Sequence, residues 1–232
     1  MAKGTIIEDP QLRNKTFLFE DRYHAGTLLA EMIKSHIDEE AVIFGIPAGG
    51  VPVAVVLSKR LHMPFDVLVV RKLHIPWNRE AGFGALSWDG TTLFNEPLLT
   101  LLGLKSEEIE RCIREEREEI EKRLRLFRGD KPFPDIKGKT ALVADDGLAS
   151  GFTMRVAVSS LKKEEPKRVL VAVPTASMGA IQIVSEEVDT IFCLNIRTGR
   201  TFAVADAYMR WYDLSNEEVV TILKEVGYYK TA

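Results

Sequence analysis

The chain has 232 residues, 46% of them hydrophobic and 28% charged, enough apolar material to bury a large core and unlike the composition of a disordered chain. A formal net charge of -3 supplies no overall field to attract nucleic acid or anionic lipid, so neither is expected as a partner. Cys112 and Cys193 are the only cysteines, too far apart for a zinc pair and too few for a disulfide framework; with no signal-type apolar core in Met1 to Pro10 and no membrane-length segment, a soluble protein of a reducing cytoplasm is expected.

Near the amino terminus, Ala25, Leu28, Leu29, Met32, Ile33 and His36 fall on one helical face. Apolar runs then follow at Ala41 to Ile46, Phe65 to Val70, Thr140 to Ala144, Val169 to Val173 and Thr190 to Leu194, each rich in Val, Ile or Leu without polar alternation, as in strands buried on both faces. Val51 to Leu61, Thr153 to Lys163 and Ser177 to Val184 suit crossover helices between them. Gly82 to Phe94 reads as an antiparallel hairpin at the sheet edge, turning at Trp88-Asp89-Gly90. From Ser106 to Phe127, Ile109, Ile113, Ile120, Leu124 and Phe127 repeat at helical spacing, which predicts a long charged helix over about 106–128 with Ser106 as N-cap and a solvated outer face. Pro132-Phe133-Pro134 makes an extended link to the next strand. The expected architecture is α/β: a single domain over 1–232, built on an open parallel sheet of about five strands with helices on both faces and an edge hairpin.

The stretch with the most chemistry is Ala141-Leu142-Val143-Ala144-Asp145-Asp146-Gly147-Leu148-Ala149-Ser150-Gly151-Phe152-Thr153, a buried strand leading through two acids into a small-residue loop and a helix. Free backbone N–H groups, two hydroxyls and the positive end of a helix dipole converge at Ser150 to Thr153 and suit a phosphate dianion. Gly151 removes the Cβ that would block close approach. Asp145 and Asp146 would repel phosphate, but they suit vicinal sugar hydroxyls or a hydrated cation. A phosphorylated sugar satisfies both halves. Paired acids at a strand end also occur in receiver domains, where they hold magnesium, and Asp146-Gly147 is ordinary turn material. A nucleotide P-loop is excluded, because G-x-x-x-x-G-K-[ST] is absent. His24, His36, His62 and His74 lack metal-ligand spacing.

This stretch resembles the phosphoribosyl-pyrophosphate-binding motif of type I phosphoribosyltransferases: hydrophobic residues, two acids, small and hydrophobic residues, then Thr/Ser-Gly-x-Thr, with Ser150 standing for the family's threonine. The resemblance implies that Asp145 and Asp146 face the ribose 2- and 3-hydroxyls and hold magnesium directly or through water, and that Ala149, Ser150, Gly151, Phe152 and Thr153 hold the 5-phosphate. Gly45-Ile46-Pro47-Ala48-Gly49-Gly50-Val51 resembles the family's pyrophosphate loop, with Ala48, Gly49 and Gly50 against the diphosphate and a cis peptide between Pro47 and Ala48. On the residues alone, a close-packed strand-to-helix turn explains these glycines equally well. Ala48 departs from the family, many of whose members carry Arg or Lys there. Arg71 and Lys72, directly after the second strand, would restore that charge, ahead of a flexible loop through His74, Trp77, Asn78 and Arg79. Phe19-Glu20-Asp21-Arg22, Val70-Arg71-Lys72-Leu73, Phe202-Ala203-Val204 and Trp211-Tyr212 extend the similarity, over nearly the whole chain, to microbial phosphoribosyltransferase-like proteins of unassigned acceptor.

The resemblance further implies transfer of phosphoribosyl to a small nitrogenous base, a homodimer, a place in nucleotide salvage, and an acceptor hood from 1–25, 200–232 or both. Tyr208, Trp211, Tyr212 and Asp213 are the hood candidates, since aromatic rings stack on planar bases and an acid reads their edges; the same rings equally suit packing onto the core. A sensor that binds phosphoribosyl pyrophosphate or a nucleotide without catalysis, and a nucleoside-phosphate hydrolase, are the alternatives.

Overall fold

The computed structural model describes residues 4–37, 40–199 and 201–229, with 79 and 80 described only as part of a strand. The elements are β1 (Thr5–Glu8), α1 (Arg22–Ile33), β2 (Ala41–Gly45), α2 (Gly50–Leu61), β3 (Phe65–Val67), β4 (Val70–Ile75), β5 (Asn78–Ser87), β6 (Thr92–Phe94), α3 (Glu96–Leu102), α4 (Ser106–Arg128), β7 (Thr140–Ala144), α5 (Phe152–Lys162), β8 (Arg168–Ser177), α6 (Met178–Val184), β9 (Thr190–Arg197) and α7 (Asn216–Glu225), with a 3-10 turn at Val204–Ala207. Six strands form a parallel sheet in the order β1-β9-β8-β7-β2-β3. Alternate residues of each central strand enter opposite cores. Val42, Phe44, Ala141, Val143, Val169 and Val171 face α5 and α6, while Ile43, Leu142, Ala144, Leu170 and Ala172 face α1 and α2. Burial on both faces is what the unbroken aliphatic runs require.

The expected architecture holds, and four details of it differ in the structure. The sheet has a sixth strand, β1, a four-residue edge strand whose first two residues are exposed and whose only apolar pair, Ile6-Ile7, is too short to mark a strand in the sequence. The run from Phe65 to Val70 is not one strand: β3 ends at Val67, Leu68 and Val69 cross over, and β4 begins a second, antiparallel sheet with β5 and β6. Val67, Leu68, Val69 and Val70 are all buried, so hydrophobicity carries no mark of where the chain leaves one sheet for the other. The hairpin turning at Trp88-Asp89-Gly90 therefore belongs to this second sheet and not to the edge of the first. Its turn is held by the Asp89 carboxylate, which accepts from the Thr91 N–H (3.0 Å) and hydroxyl (2.6 Å) and from Lys163 Nζ (2.9 Å). At α4, Lys105 and not Ser106 occupies the cap position, with its N–H donating to Glu108 Oε2 at 2.9 Å.

The antiparallel sheet, α4 and α7 share a third core containing Leu73, Phe83, Leu86, Ile120, Phe127, Val219 and Leu223. A buried polar clamp ties this unit to β3. The Asp66 carboxylate, 1% exposed as a residue, accepts from Arg128 Nη2 at 3.1 Å and from the Tyr228 hydroxyl, and Arg128 also donates to the Pro132 carbonyl at 2.9 Å. Burial is the first cause that raises the Tyr228 hydroxyl pKa, and the adjacent Asp66 charge adds to it. Removing one member of a buried pair strands the other charge, so Arg128→Ala is expected to lower unfolding stability by about 3 kcal/mol in urea titration. Adding Asp66→Asn should recover part of that loss; no recovery in the double variant would show that the pair contributes no coupling.

Candidate functional site

In an open parallel sheet, ligands bind outside the carboxyl ends of the strands. Here β7 delivers Asp145 and Asp146 to that edge, and neighbouring β2 delivers the loop from Ile46 to Gly49. The two loops touch. The Ile46 N–H donates to the Ala144 carbonyl at 3.0 Å. A Cβ on Gly50 would lie 2.5 Å from that carbonyl oxygen and strike main chain, and a Cβ on Gly49 would lie 1.8 Å from Asp146 Oδ2 and displace that carboxylate. The Pro47–Ala48 peptide is cis.

Asp145 and Asp146 are held close together. Asp145 Oδ1 accepts from the Asp146 N–H at 2.8 Å, and Arg22 Nε donates to Asp146 Oδ2 at 2.8 Å. The Tyr208 hydroxyl donates to the Asp146 carbonyl at 2.7 Å. Burial first, and then the Asp146 charge, push the Asp145 carboxyl well above its ordinary range, with Arg22 pulling the other way. Burial also raises Asp146, opposed most by Arg22.

From Gly147 to Gly151 the chain crosses to α5. The Leu148 N–H donates to the Thr175 carbonyl at 2.9 Å, and the Ser177 hydroxyl donates to the Ala149 carbonyl at 2.7 Å, so β8 braces the loop. Gly151 adopts φ +79°, the left-handed region that glycine enters without a steric penalty, and so turns the chain into the helix. Ala149 and Ser150 are exposed, Phe152 and Thr153 half-buried and Gly151 buried. No side chain caps α5 or α2, whereas Asp21, Asn95, Ser177 and Ser215 cap α1, α3, α6 and α7. The two helices that follow the loops after β2 and β7 thus lack a side-chain oxygen on their first-turn amides, as α4 does, whereas α6, which follows β8, has one.

Arg71 and Lys72 are not delivered as a pair. Both lie inside β4 instead of following a strand, and alternation along a strand sends neighbouring side chains to opposite faces. Arg71 Nε meets Glu116 Oε2 at 2.9 Å and His74 Nδ1 meets Glu116 Oε1 at 2.8 Å. These groups line a cavity of about 390 Å³ beside α4, together with Cys112, Glu115 and Glu119. Lys72 is exposed and passes its aliphatic chain over Gly82. Trp77 is exposed at the turn between β4 and β5, and the side chain of Arg79 lies outside the described residues.

The four hood candidates separate. Tyr208 is 1% exposed, packs against Phe19 and is unavailable for stacking on a ligand, which corrects its assignment. Trp211 is half-buried and lies over Arg22, 4.0 Å from ring centroid to guanidinium carbon. Tyr212 and Asp213 are exposed, and Tyr212 lines a cavity of about 120 Å³ with Arg22, Tyr23, Pro52, Arg210 and Leu214. Of the proposed hood segments, residues 1–3, 200 and 230–232 lie outside the described residues. Arg22 joins the acid pair without being marked by any motif in the sequence. Its signal was a cation in the first turn of a helix, where the dipole disfavours positive charge unless an acid lies nearby. Among the described residues, no cluster of three or more His, Cys, Asp or Glu is arranged to hold a metal, and no helix is long and apolar enough to cross a membrane.

The chain is similar to known proteins in sequence and fold. The family profile described as "Phosphoribosyl transferase domain" matches residues 21–207. Two Mycobacterium tuberculosis proteins, "Putative phosphoribosyl transferase MT0597" of strain CDC 1551 / Oshkosh and "Putative phosphoribosyl transferase Rv0571c" of strain ATCC 25618 / H37Rv, are each 32% identical over 206 residues, which is 89% of this chain and 46% of theirs. The chain therefore spans about half the length of these curated relatives. The crystal structure of TT1426 from Thermus thermophilus is 33% identical and superposes with a TM-score of 0.73, covering 90% of this chain and 99% of that one.

The raised Asp145 carboxyl carries a stability consequence. Its folded-state pKa lies above the ordinary 3.8, so the native state loses stability as pH rises through that value towards the folded one, and the penalty persists at neutral pH. Asp145→Asn keeps the acceptor for the Asp146 N–H and removes the charge. It is expected to raise the neutral-pH unfolding midpoint, with the gain vanishing in acid; a lower midpoint at neutral pH would show that the charge is stabilising.

Proposed function

Because this chain belongs to the phosphoribosyltransferase family, we propose that it transfers the 5-phosphoribosyl group of phosphoribosyl pyrophosphate to a ring nitrogen of a small nitrogenous base and releases pyrophosphate. The observation that carries the reading is the meeting of two loops at one sheet edge, with paired carboxylates on one and a side-chain-free approach at Gly49 and Gly50 on the other. In this reading Asp145 and Asp146 accept from the ribose 2- and 3-hydroxyls, and their charge favours the oxocarbenium-like state at C1. Ala149 to Thr153 hold the 5-phosphate through the uncapped first turn of α5. Ala48, Gly49 and Gly50 pack against the leaving diphosphate. No side chain acts as a covalent nucleophile; positioning and charge lower the barrier.

Two adjacent carboxylates whose protonation is favoured by burial, and at Asp145 also by the Asp146 charge, are hard oxygen donors that gain from a cation, and they fit magnesium, which takes one or two protein carboxylates with the rest from phosphate and water. When bound it would neutralise charge on the departing diphosphate.

One observation favours a second reading, a non-catalytic sensor of phosphoribosyl pyrophosphate or a nucleotide. Ala48 offers no cation to the diphosphate, and Arg71 is paired with Glu116. Incubation with phosphoribosyl pyrophosphate, magnesium and a panel of purines, pyrimidines and other nitrogenous acceptors separates the two. Pyrophosphate release with at least one acceptor is expected, and its loss in the folded Asp145→Asn/Asp146→Asn double variant. Tight binding without release across the panel would establish the sensor, and full activity in the double variant would remove the carboxylates from the chemistry.

A further inference from the structure

Asp146 is gripped at two points by residues distant in sequence. Arg22, whose side chain is 7% exposed, donates from Nε to Asp146 Oδ2 at 2.8 Å. The Tyr208 hydroxyl holds the carbonyl of the same residue at 2.7 Å. Arg22 is itself fixed. Its Nη1 donates to the Tyr212 carbonyl at 3.0 Å, and the Trp211 ring lies 4.0 Å from its guanidinium carbon. It begins α1, whose N-cap Asp21 accepts from the Tyr23 and His24 N–H groups at 3.0 Å and pairs with Arg210 at 2.9 Å. The aromatic cluster that the sequence presents as a base-stacking hood is here the casing of a buried arginine.

An exposed arginine–carboxylate pair is weak, but this one is enclosed, has a second carboxylate, Asp145, beside its acceptor, and lies against Gly49, where a Cβ would strike Asp146 Oδ2. A carboxylate beside a second carboxylate swings away from it unless a cation or a wall prevents the movement. Arg22 supplies the cation and Gly49 the wall. We propose that Arg22 is the positioning residue for Asp146: cased by Trp211 and the Tyr212 carbonyl, and assisted by Tyr208, it fixes the plane and the charge of the carboxylate that meets the ribose hydroxyls. This rests on the ribose-facing role of Asp146 proposed above. It makes segment 208–212, 62 or more residues downstream of that aspartate, part of the ligand grip without direct contact with the ligand.

The test is isothermal calorimetry of phosphoribosyl pyrophosphate with magnesium, alongside urea unfolding, on the full chain and on Arg22→Gln, Arg22→Lys and Tyr208→Phe. Losing a charge-assisted bond to Asp146 is expected to weaken binding roughly tenfold or more in Arg22→Gln, with partial rescue by Arg22→Lys and a smaller weakening in Tyr208→Phe. A merely structural arginine would lower the unfolding midpoint while folded Arg22→Gln bound as tightly as the wild type, and that result would overturn the inference. Should Arg22→Gln fail to fold, Tyr208→Phe, which keeps the ring and its packing, decides: wild-type affinity overturns the proposal. Absence of heat with the wild type overturns the ribose-facing reading and this inference together, whereas wild-type binding with unaltered variants overturns this inference alone.

Discussion

Two carboxylates side by side at the end of a buried strand repel each other, and burial strengthens the repulsion. Much of the surrounding architecture answers that one strain. Arg22 arrives from the first turn of α1 to neutralise Asp146, and the Asp146 N–H turns back to Asp145. Tyr208 comes from near the carboxyl terminus to hold the Asp146 carbonyl. Groups separated by more than a hundred residues in the chain meet at a single amino acid. Local strain of this kind persists only when the rest of the fold holds it in place, here by parallel pairing of β7 on both sides, to β2 and to β8.

A second constraint is distance between backbones. The chain after β2 approaches the loop after β7 so closely that a Cβ at 50 would strike the Ala144 carbonyl and one at 49 would displace the Asp146 carboxylate. From the residues alone, a ligand cradle and a close-packed turn were equal explanations. The contacts show that close packing is real at both positions, and that what Gly49 packs against is a carboxylate of the site. The two explanations are therefore not exclusive: the approach that removes the side chains also brings one candidate phosphate loop against the paired acids.

Charge was the least legible property. Arg71-Lys72 looked like a unit because the letters are adjacent, yet adjacency inside a strand separates side chains, and Glu116, forty-five residues later on α4, pairs with Arg71. The aromatic residues near the carboxyl terminus looked like a stacking surface because Tyr208, Trp211 and Tyr212 are close in sequence. One is buried, one covers a guanidinium and one is exposed. Residue type offered two chemically sound uses in each case, and only the identity of the facing partner chose between them.

Resemblance carried the family, and the linear chain carried the α/β class, the strands bearing both loops and the order in which loops meet helices. Each is written in local signals: aliphatic runs for strands buried on two faces, glycine and hydroxyl residues at helix starts, and an acid pair at a strand end. Tertiary structure alone decided the sixth strand, the crossing from one sheet to the other within an unbroken apolar run, the engagement of Arg71 with Glu116, and the meeting of Arg22 with Asp146. These depend on which surfaces face each other after the chain has closed, and pairwise distance across the fold leaves no periodicity or composition to read beforehand.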